Sequence, residues 1–229
     1  AADGSHKSTF QPGMELRAKY TVLAEGSRGH LGKQMISHFG LASSATPQHY
    51  GLGLKELWEI SPDKHRPGLV IHGTGWPLSE SHSTGGSFLY HFEENLVSLG
   101  LIVDLSYTNP YLSPFDELQR YKTHSTIRKL LDGGTRVAYG ARAVTKGGFN
   151  SLPTMSMPGA LLIGCDAGTL NFAKVKGTHT AMQSGIIAAQ TLFRALQSKD
   201  AGERSLREYD AAFKKSSTYK ELYTSRNFG

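Results

Sequence analysis

The segment Gly164-Cys165-Asp166-Ala167-Gly168 sets a carboxylate directly after the apolar run Gly159 to Gly164, GALLIG. A short, continuously apolar run bounded by glycine reads as a buried parallel strand. In an open α/β sheet, ligands gather outside the carboxyl ends of such strands. Asp166 in that place accepts hydrogen bonds from sugar or ribityl hydroxyls, and the small residues Gly164, Ala167 and Gly168 let a ligand chain come close to the backbone. Taken alone, Asp166 as a turn cap is an equal reading. Downstream, Lys176-Gly177-Thr178-His179-Thr180-Ala181-Met182 opens a long helical pattern. Free N–H groups and the positive dipole end at a helix start favour negative charge. Reduced flavin gathers such charge around N1 and O2 of its ring, so a helix start aimed there raises its potential. Gly177, Thr178 and Thr180 are the candidates, although a lone threonine is more simply an N-cap. Strand, Asp, loop and helix together favour a flavin cofactor.

A second strand end, Ala24-Glu25-Gly26-Ser27-Arg28-Gly29-His30, spaces its glycines at 26, 29 and 32. That is not the G-x-G-x-x-G dinucleotide fingerprint, which occurs nowhere in the chain. By itself it is a weak signal: Glu25 reads equally as a solvated charge and Arg28 as a surface residue. Further along, Gly85-Gly86 precedes a strand with Phe88, Tyr90 and Phe92 on one face. Without further context these glycines are a turn and the aromatic stripe is ordinary core. Trp58 and Trp76 take the same reading, and His91 reads as a satisfied core or surface histidine rather than a proton donor.

The elements that must position these residues fall into three stretches. In the first, Leu16 to Ala24 reads as a strand entering a core, with the preceding Phe10 to Leu16 as a hairpin in progress; a glycine turn follows, then a helix over Leu31 to Phe39. The middle stretch, from about Pro47 to Gly140, is strand-rich: Gly51 to Ile60, Leu69 to His72, Ser87 to Phe92 and Leu99 to Tyr107. Ser113-Pro114 then caps a helix through Lys122, and His124 to Leu131 forms another, ended by Gly133-Gly134. In the third stretch the GALLIG strand leads to a helix over Thr178 to Leu196, with Ala181, Ile186, Ala189 and Leu192 on its apolar spacing, and then to a mostly polar helix over Leu206 to Ser216. Tyr219 to Tyr223 is amphipathic. The fold class is α/β with an α+β insertion.

With 38% hydrophobic and 19% charged residues in 229, the chain is a folded protein rather than a disordered one. Its net charge of +6 is spread without a basic block or a recognition motif, which argues against nucleic acid and fits proximity to anionic lipid or an acidic partner. Cys165 is the only cysteine, so this chain holds neither an internal disulfide nor a cluster of four thiolates, and no metal site is expected in it. Absence of a run of about 18 apolar residues leaves only peripheral contact with a membrane.

The blocks AEGSRGHLGKQ, GLGLKELWEI, GWPL, TGGSFLYHF, LSYTNPYLSPFDELQRYKTH, GARA, KGGFNSLP, LLIGCDAG and KGTHTAMQSGI, in this order, resemble the electron-transfer flavoprotein:ubiquinone oxidoreductases over nearly the whole chain. The resemblance implies part of a FAD-binding domain of the glutathione-reductase-like type, residues 1–47 and 141–229, interrupted by a ubiquinone-binding domain at 48–140. It implies FAD at Glu25, Gly26, Arg28, Gly164, Asp166, Ala167, Gly168, Gly177, Thr178 and Thr180. Quinone would lie against the carbonyls of Gly85 and Gly86, beside Phe88 and Tyr90. Thr84 stands where many members have tyrosine, and some have serine at the position of Asp166.

The family passes electrons from reduced electron-transfer flavoprotein, through FAD and a 4Fe-4S cluster, to ubiquinone. Its members lie peripherally on the bacterial cytoplasmic membrane or the mitochondrial inner membrane. The family's first FAD fingerprint and its cluster cysteines are not in this sequence, so the chain is expected to be a central fragment, inactive alone. Two other readings stand beside this one: a related FAD-dependent reductase or monooxygenase of a lipid-like substrate, and a non-catalytic fragment.

Overall fold

A strand persists only where a neighbour takes its backbone hydrogen bonds, and this decides the start of the chain. The computed structural model describes residues 2–198 and 203–228. Within it the expected hairpin at Phe10 to Leu16 does not form: Met14 and Leu16 are 90% and 88% exposed, with no partner strand. The first strand is β1, Thr21–Leu23, much shorter than the expected Leu16 to Ala24. It forms there because β8, Ala160–Leu162, pairs with it in parallel, Val22 opposite Leu161. The two-residue β7, Ser156–Met157, completes a three-stranded sheet in the order β1-β8-β7.

Helices cover this sheet: α1, His30–His38, follows β1, and α4, Thr178–Gln197, follows β8. Two more, α5 over Glu203–Lys215 and α6 over Ser217–Thr224, close the far side. Leu161, Leu162, Met155, Ile187, Tyr209, Phe213 and Leu222 are buried together here, and the Tyr209 hydroxyl donates to the Leu162 carbonyl at 3.0 Å. The buried face of α4 is not the expected one. Thr180, Ser184, Ile187, Ala188, Thr191 and Ala195 point inward, while Ile186 is half exposed. Hydroxyls are tolerated inside because each bonds a carbonyl of the preceding turn, Ser184 to Ala181 and Thr191 to Ile187. Ser184 also accepts the Gly164 N–H at 2.9 Å, which fixes the helix against the end of β8.

Between the two halves of that unit lies a five-stranded antiparallel sheet, β3-β4-β5-β2-β6. Its strands are β2 (Tyr50–Glu59), β3 (Val70–Thr74), β4 (Gly85–His91), β5 (Leu96–Asp104) and β6 (Thr135–Thr145). The first four lie near where alternation places them, with β5 three residues earlier than the expected Leu99 to Tyr107. β6 has mostly exposed residues and no alternating pattern, and its pairing with β2 makes it a strand. Two helices, α2 (Pro114–Lys122) and α3 (Ser125–Leu131), pack on one face of the sheet against Val97, Leu99, Leu101 and Val103. Ser113 caps α2 as expected, accepting the Asp116 N–H.

The opposite face of the sheet has glycines at positions 53, 86 and 100 near its centre. Cross-strand partners share a face, so the register puts Gly86, Ile102 and Gly53 in one row and His72, Phe88, Gly100 and Lys55 in the next.

One buried charge organises the helical side. Glu56 is 2% exposed and meets Lys122 at 2.9 Å, Arg136 at 3.4 Å and the Trp58 indole N–H at 2.8 Å. These partners hold its pKa below the ordinary glutamate value against the opposing effect of burial. They tie β2 to α2 and β6. Removing the carboxylate leaves Lys122 and Arg136 without their acceptor, so Glu56→Ala is expected to lose roughly 3 kcal/mol, the low end for a buried pair because both cations can turn toward water. Urea unfolding checks this, and a loss below about 1 kcal/mol would reduce the cluster to a surface ion pair.

Candidate functional site

Parallel pairing sets the carboxyl ends of β1 and β8 side by side, and so brings together two segments 141 residues apart. Glu25 follows β1, and Asp166 lies in the short turn after β8. The Glu25 N–H donates to Asp166 at 3.3 Å, and the Glu25 carboxylate accepts the Gly32 N–H in the first turn of α1 at 2.8 Å. Both acids therefore lie against a helix N-terminus, where negative charge is stabilised. Gly29 and Gly32 leave room for them: a Cβ on Gly32 would come within 2.2 Å of the Asp166 carboxylate.

Burial holds the Asp166 pKa above the ordinary aspartate value; the Glu25 charge adds to this and the Glu25 amide opposes it. Beside the pair opens a cavity of about 360 Å³ lined by Arg28, Gly29, Lys33, Gln48, Asp166 and Ala167. Two cations and a carboxylate among the lining residues suit a ligand with both phosphate and hydroxyl groups.

The glycines of the second motif have packing reasons. Gly164 has φ +59° and lies under Ala181 of α4; Gly168 has φ +79° and packs on the Gln48 side chain. Gly26, at φ +93°, turns the chain after β1. Arg28 is exposed and stacks over Tyr50, 5.1 Å from the ring centroid. At the start of α4, Gly177 is the N-cap with no side-chain cap, Thr178 is exposed, and Thr180 is buried with its hydroxyl on the Gly177 carbonyl at 2.8 Å. Cys165 sits in the same turn, its thiol pKa pushed up by burial.

The residues singled out in the other motif divide by face. Gly85 looks into the helical side, where a Cβ would meet the Ile102 carbonyl at 2.0 Å and Leu78 at 2.5 Å. Gly86 lies on the glycine face, where the nearest obstacle to a Cβ is the Gly73 carbonyl at 3.1 Å. Phe88 and Tyr90 share that face and stack, with centroids 4.9 Å apart, and Phe88 lies over Gly100. Phe92 falls beyond the end of β4 and is half exposed. His91 is a satisfied core histidine: it is 5% exposed, accepts the Arg66 N–H at 3.1 Å, and is held below the ordinary histidine pKa by burial and by the neighbouring His65 and Arg66 charges.

Sequence reasoning missed the side chains that join the two sheets. Lys176, in the loop before α4, donates to the Tyr90 hydroxyl at 2.7 Å, and His72 meets the same oxygen at 2.8 Å. On the five-stranded sheet itself, Lys146, just after β6, pairs with Asp104 at the end of β5. Ser27 donates to the Ala143 carbonyl at 2.7 Å. The glycine face of the five-stranded sheet is thereby held toward the segment that starts α4. Nothing in the spacing of these residues marks them as partners.

Residues 50–144, nearly the whole of the five-stranded sheet and its helices, match the family model described as ETF-QO, ubiquinone-binding. The electron transfer flavoprotein-ubiquinone oxidoreductase of Pseudomonas aeruginosa is 61% identical over 220 residues, a match covering 96% of this chain and 40% of that protein. The mitochondrial human protein of the same name is 52% identical over 231 residues, covering 98% and 37%. The chain belongs to the electron transfer flavoprotein-ubiquinone oxidoreductase family.

It spans about 40% of the length of the relatives it matches. Among solved structures, a geranylgeranyl bacteriochlorophyll reductase-like protein from Thermoplasma acidophilum superposes with a TM-score of 0.69 at 18% identity, covering 92% of this chain and 50% of that one. A flavin-dependent halogenase superposes with a TM-score of 0.60 at 18% identity, covering 91% and 37%. These likenesses establish the mixed α/β fold of this family member.

The raised pKa of Asp166 has a measurable sign. Its ionised form is disfavoured in the folded state, so stability is greatest while the group is protonated and falls as pH rises through the raised value. Asp166→Asn should therefore melt higher than the parent at pH 7. The gap should close as pH falls, vanishing below the ordinary value of 3.8, where folded and unfolded states are both protonated. Thermal melts of the chain from pH 3 to pH 8 test this; a gap that widens toward low pH would show that the carboxylate stabilises the fold.

Proposed function

We propose that this chain supplies the quinone-reducing unit and half of the flavin site of an oxidoreductase that passes electrons from reduced electron-transfer flavoprotein to ubiquinone. The observation that carries this reading is the juxtaposition of two surfaces. Arg28 and Gly29, soon after β1, and Asp166, soon after β8, line one cavity, and the glycine face of the five-stranded sheet is held beside the start of α4 that belongs to the same unit.

The flavin unit takes residues 1–47 and the segment after the insertion, and the insertion begins at 48. A boundary at 140 would divide β6, so the proposed insertion runs to Thr145.

The residues present fit FAD. Asp166, with its raised pKa, accepts from ribityl hydroxyls. Arg28 offers a cation to the phosphates. Gly164, Ala167 and Gly168 present backbone at close range, and the uncapped start of α4 at Gly177 and Thr178 lends N–H groups to negative charge on the ring. When bound, FAD supplies the two-electron chemistry. Thr180 serves this site indirectly, by shaping the turn at Gly177.

On the sheet, the quinone head lies flat over Gly86, with Phe88 and Tyr90 along one side. The missing side chain at Gly86 exposes the peptide to a planar ligand. A 4Fe-4S cluster and peripheral contact with a bacterial cytoplasmic or mitochondrial inner membrane belong to the same proposal. Among the described residues no helix is long and apolar enough to cross a membrane, and no group of His, Cys, Asp or Glu is placed to hold a metal.

A chimaera tests this, with the chain replacing the matching segment of the full-length Pseudomonas aeruginosa relative. It should bind FAD and reduce a short-chain ubiquinone with electrons from reduced electron-transfer flavoprotein. Gly86→Ala should raise the KM for quinone and Gly86→Val should raise it further, by about tenfold or more, with FAD content and melting temperature close to the parent. Gly85→Ala should instead lower the melting temperature, because its Cβ meets the backbone of β5. Unchanged quinone kinetics in Gly86→Val would remove the glycine face from the quinone site.

A further inference from the structure

Reducing a quinone to a quinol takes two protons as well as two electrons, and the glycine face itself carries no proton donor at Gly86, Ile102 or Gly53. One pleat along the same face, about 7 Å away, lies a buried charge cluster. Asp104 is 8% exposed, and its carboxylate is fully engaged: Oδ1 accepts the N–H and hydroxyl of Ser106 at 3.0 and 2.8 Å. Oδ2 accepts the Thr84 hydroxyl at 3.1 Å and the Lys146 ammonium. Asp104 shares a face with Ile102 by alternation along β5, and its own N–H bonds the Thr84 carbonyl at 2.9 Å, immediately before the paired glycines.

Lys146 reaches this point from the segment after β6. Its side chain is 16% exposed, and its ammonium lies over the Phe172 ring, 4.8 Å from the centroid. An ammonium has three N–H donors, and among the described residues Asp104 is the one hydrogen-bond acceptor found for it. A partly buried cation with donors to spare, beside the face proposed to hold the quinone head, lacks an acceptor of the kind a quinone carbonyl provides.

We infer that the Lys146 ammonium hydrogen-bonds one carbonyl oxygen of the bound quinone and donates the first proton of its reduction, with Asp104 as the residue that positions it. The inference rests on the quinone-site reading above. The two electrons would be supplied by the FAD that the proposed function assigns to the full-length protein. As charge gathers on the carbonyl oxygen, the Lys146 N–H bond breaks and an O–H bond forms, leaving its electron pair on nitrogen as a neutral amine. The second proton comes from water to the other oxygen, and the amine is reprotonated from solvent, so the quinone gains two electrons and two protons in all. Burial pulls the Lys146 pKa below the ordinary lysine value, the sense that favours release of this proton.

The test uses the same full-length chimaera, with a short-chain ubiquinone as substrate. Lys146→Met removes both charge and proton, whereas Lys146→Arg keeps a charge and hydrogen-bond donors but does not give up a proton at accessible pH. Both should lower kcat for quinone reduction at least tenfold, with FAD content and the rate of flavin reduction by electron-transfer flavoprotein unchanged. Lys146→Arg should keep a KM near the parent and Lys146→Met should raise it, a split that a merely structural lysine would not produce. If Lys146→Met is unstable because Asp104 is left unpaired, the double variant Lys146→Met with Asp104→Asn should regain the parental melting temperature and still be slow. A parental kcat in Lys146→Arg or in the double variant overturns the inference alone. A chimaera that binds FAD but reduces no quinone overturns the function, and the inference with it.

Discussion

Parallel pairing of β1 with β8 is the constraint on which the rest of this molecule depends. Three residues on each strand are enough to fix it, because Leu23, Leu161 and Leu162 are buried in the same core. Once the pair forms, everything between the strands must leave the small sheet and return to it. The five-stranded sheet is that excursion, and its first and last strands, β2 and β6, are hydrogen-bonded neighbours.

The same pairing creates the chemistry. Two carboxylates, Glu25 and Asp166, are brought to one helix N-terminus, where the peptide dipoles of α1 compensate charges that would otherwise repel. The compensation is incomplete for Asp166, whose pKa stays raised. Such retained strain is a common mark of a group kept for binding rather than for stability. Glu56 shows the opposite balance: more deeply buried, in the second unit, it is given two cations and an indole N–H, and it holds the sheet to its helices.

Polar contacts join the units, and Arg28 lies over the Tyr50 ring. Lys176 reaches Tyr90, and Ser27 reaches the Ala143 carbonyl.

The amino-acid sequence by itself settled what depends on near neighbours. Ser113-Pro114 announced α2, the alternation of Ser87 to Phe92 announced β4, and the helical spacing after Gly177 announced α4, because caps and periodicity act over a few residues. It also picked out Asp166 and Glu25 as separate strand-end acids and, through the order of its motif blocks, the family. Tertiary structure alone decided which partners those elements found. It shortened the first strand to Thr21–Leu23, made a strand of β6, and turned α4 so that Thr180, Ser184 and Thr191 face inward. It joined Glu25 to Asp166 and Lys146 to Asp104. Each of these outcomes depends on backbone groups or charges far apart in the chain satisfying one another out of water, and no local pattern of residue types records which distant group will do so.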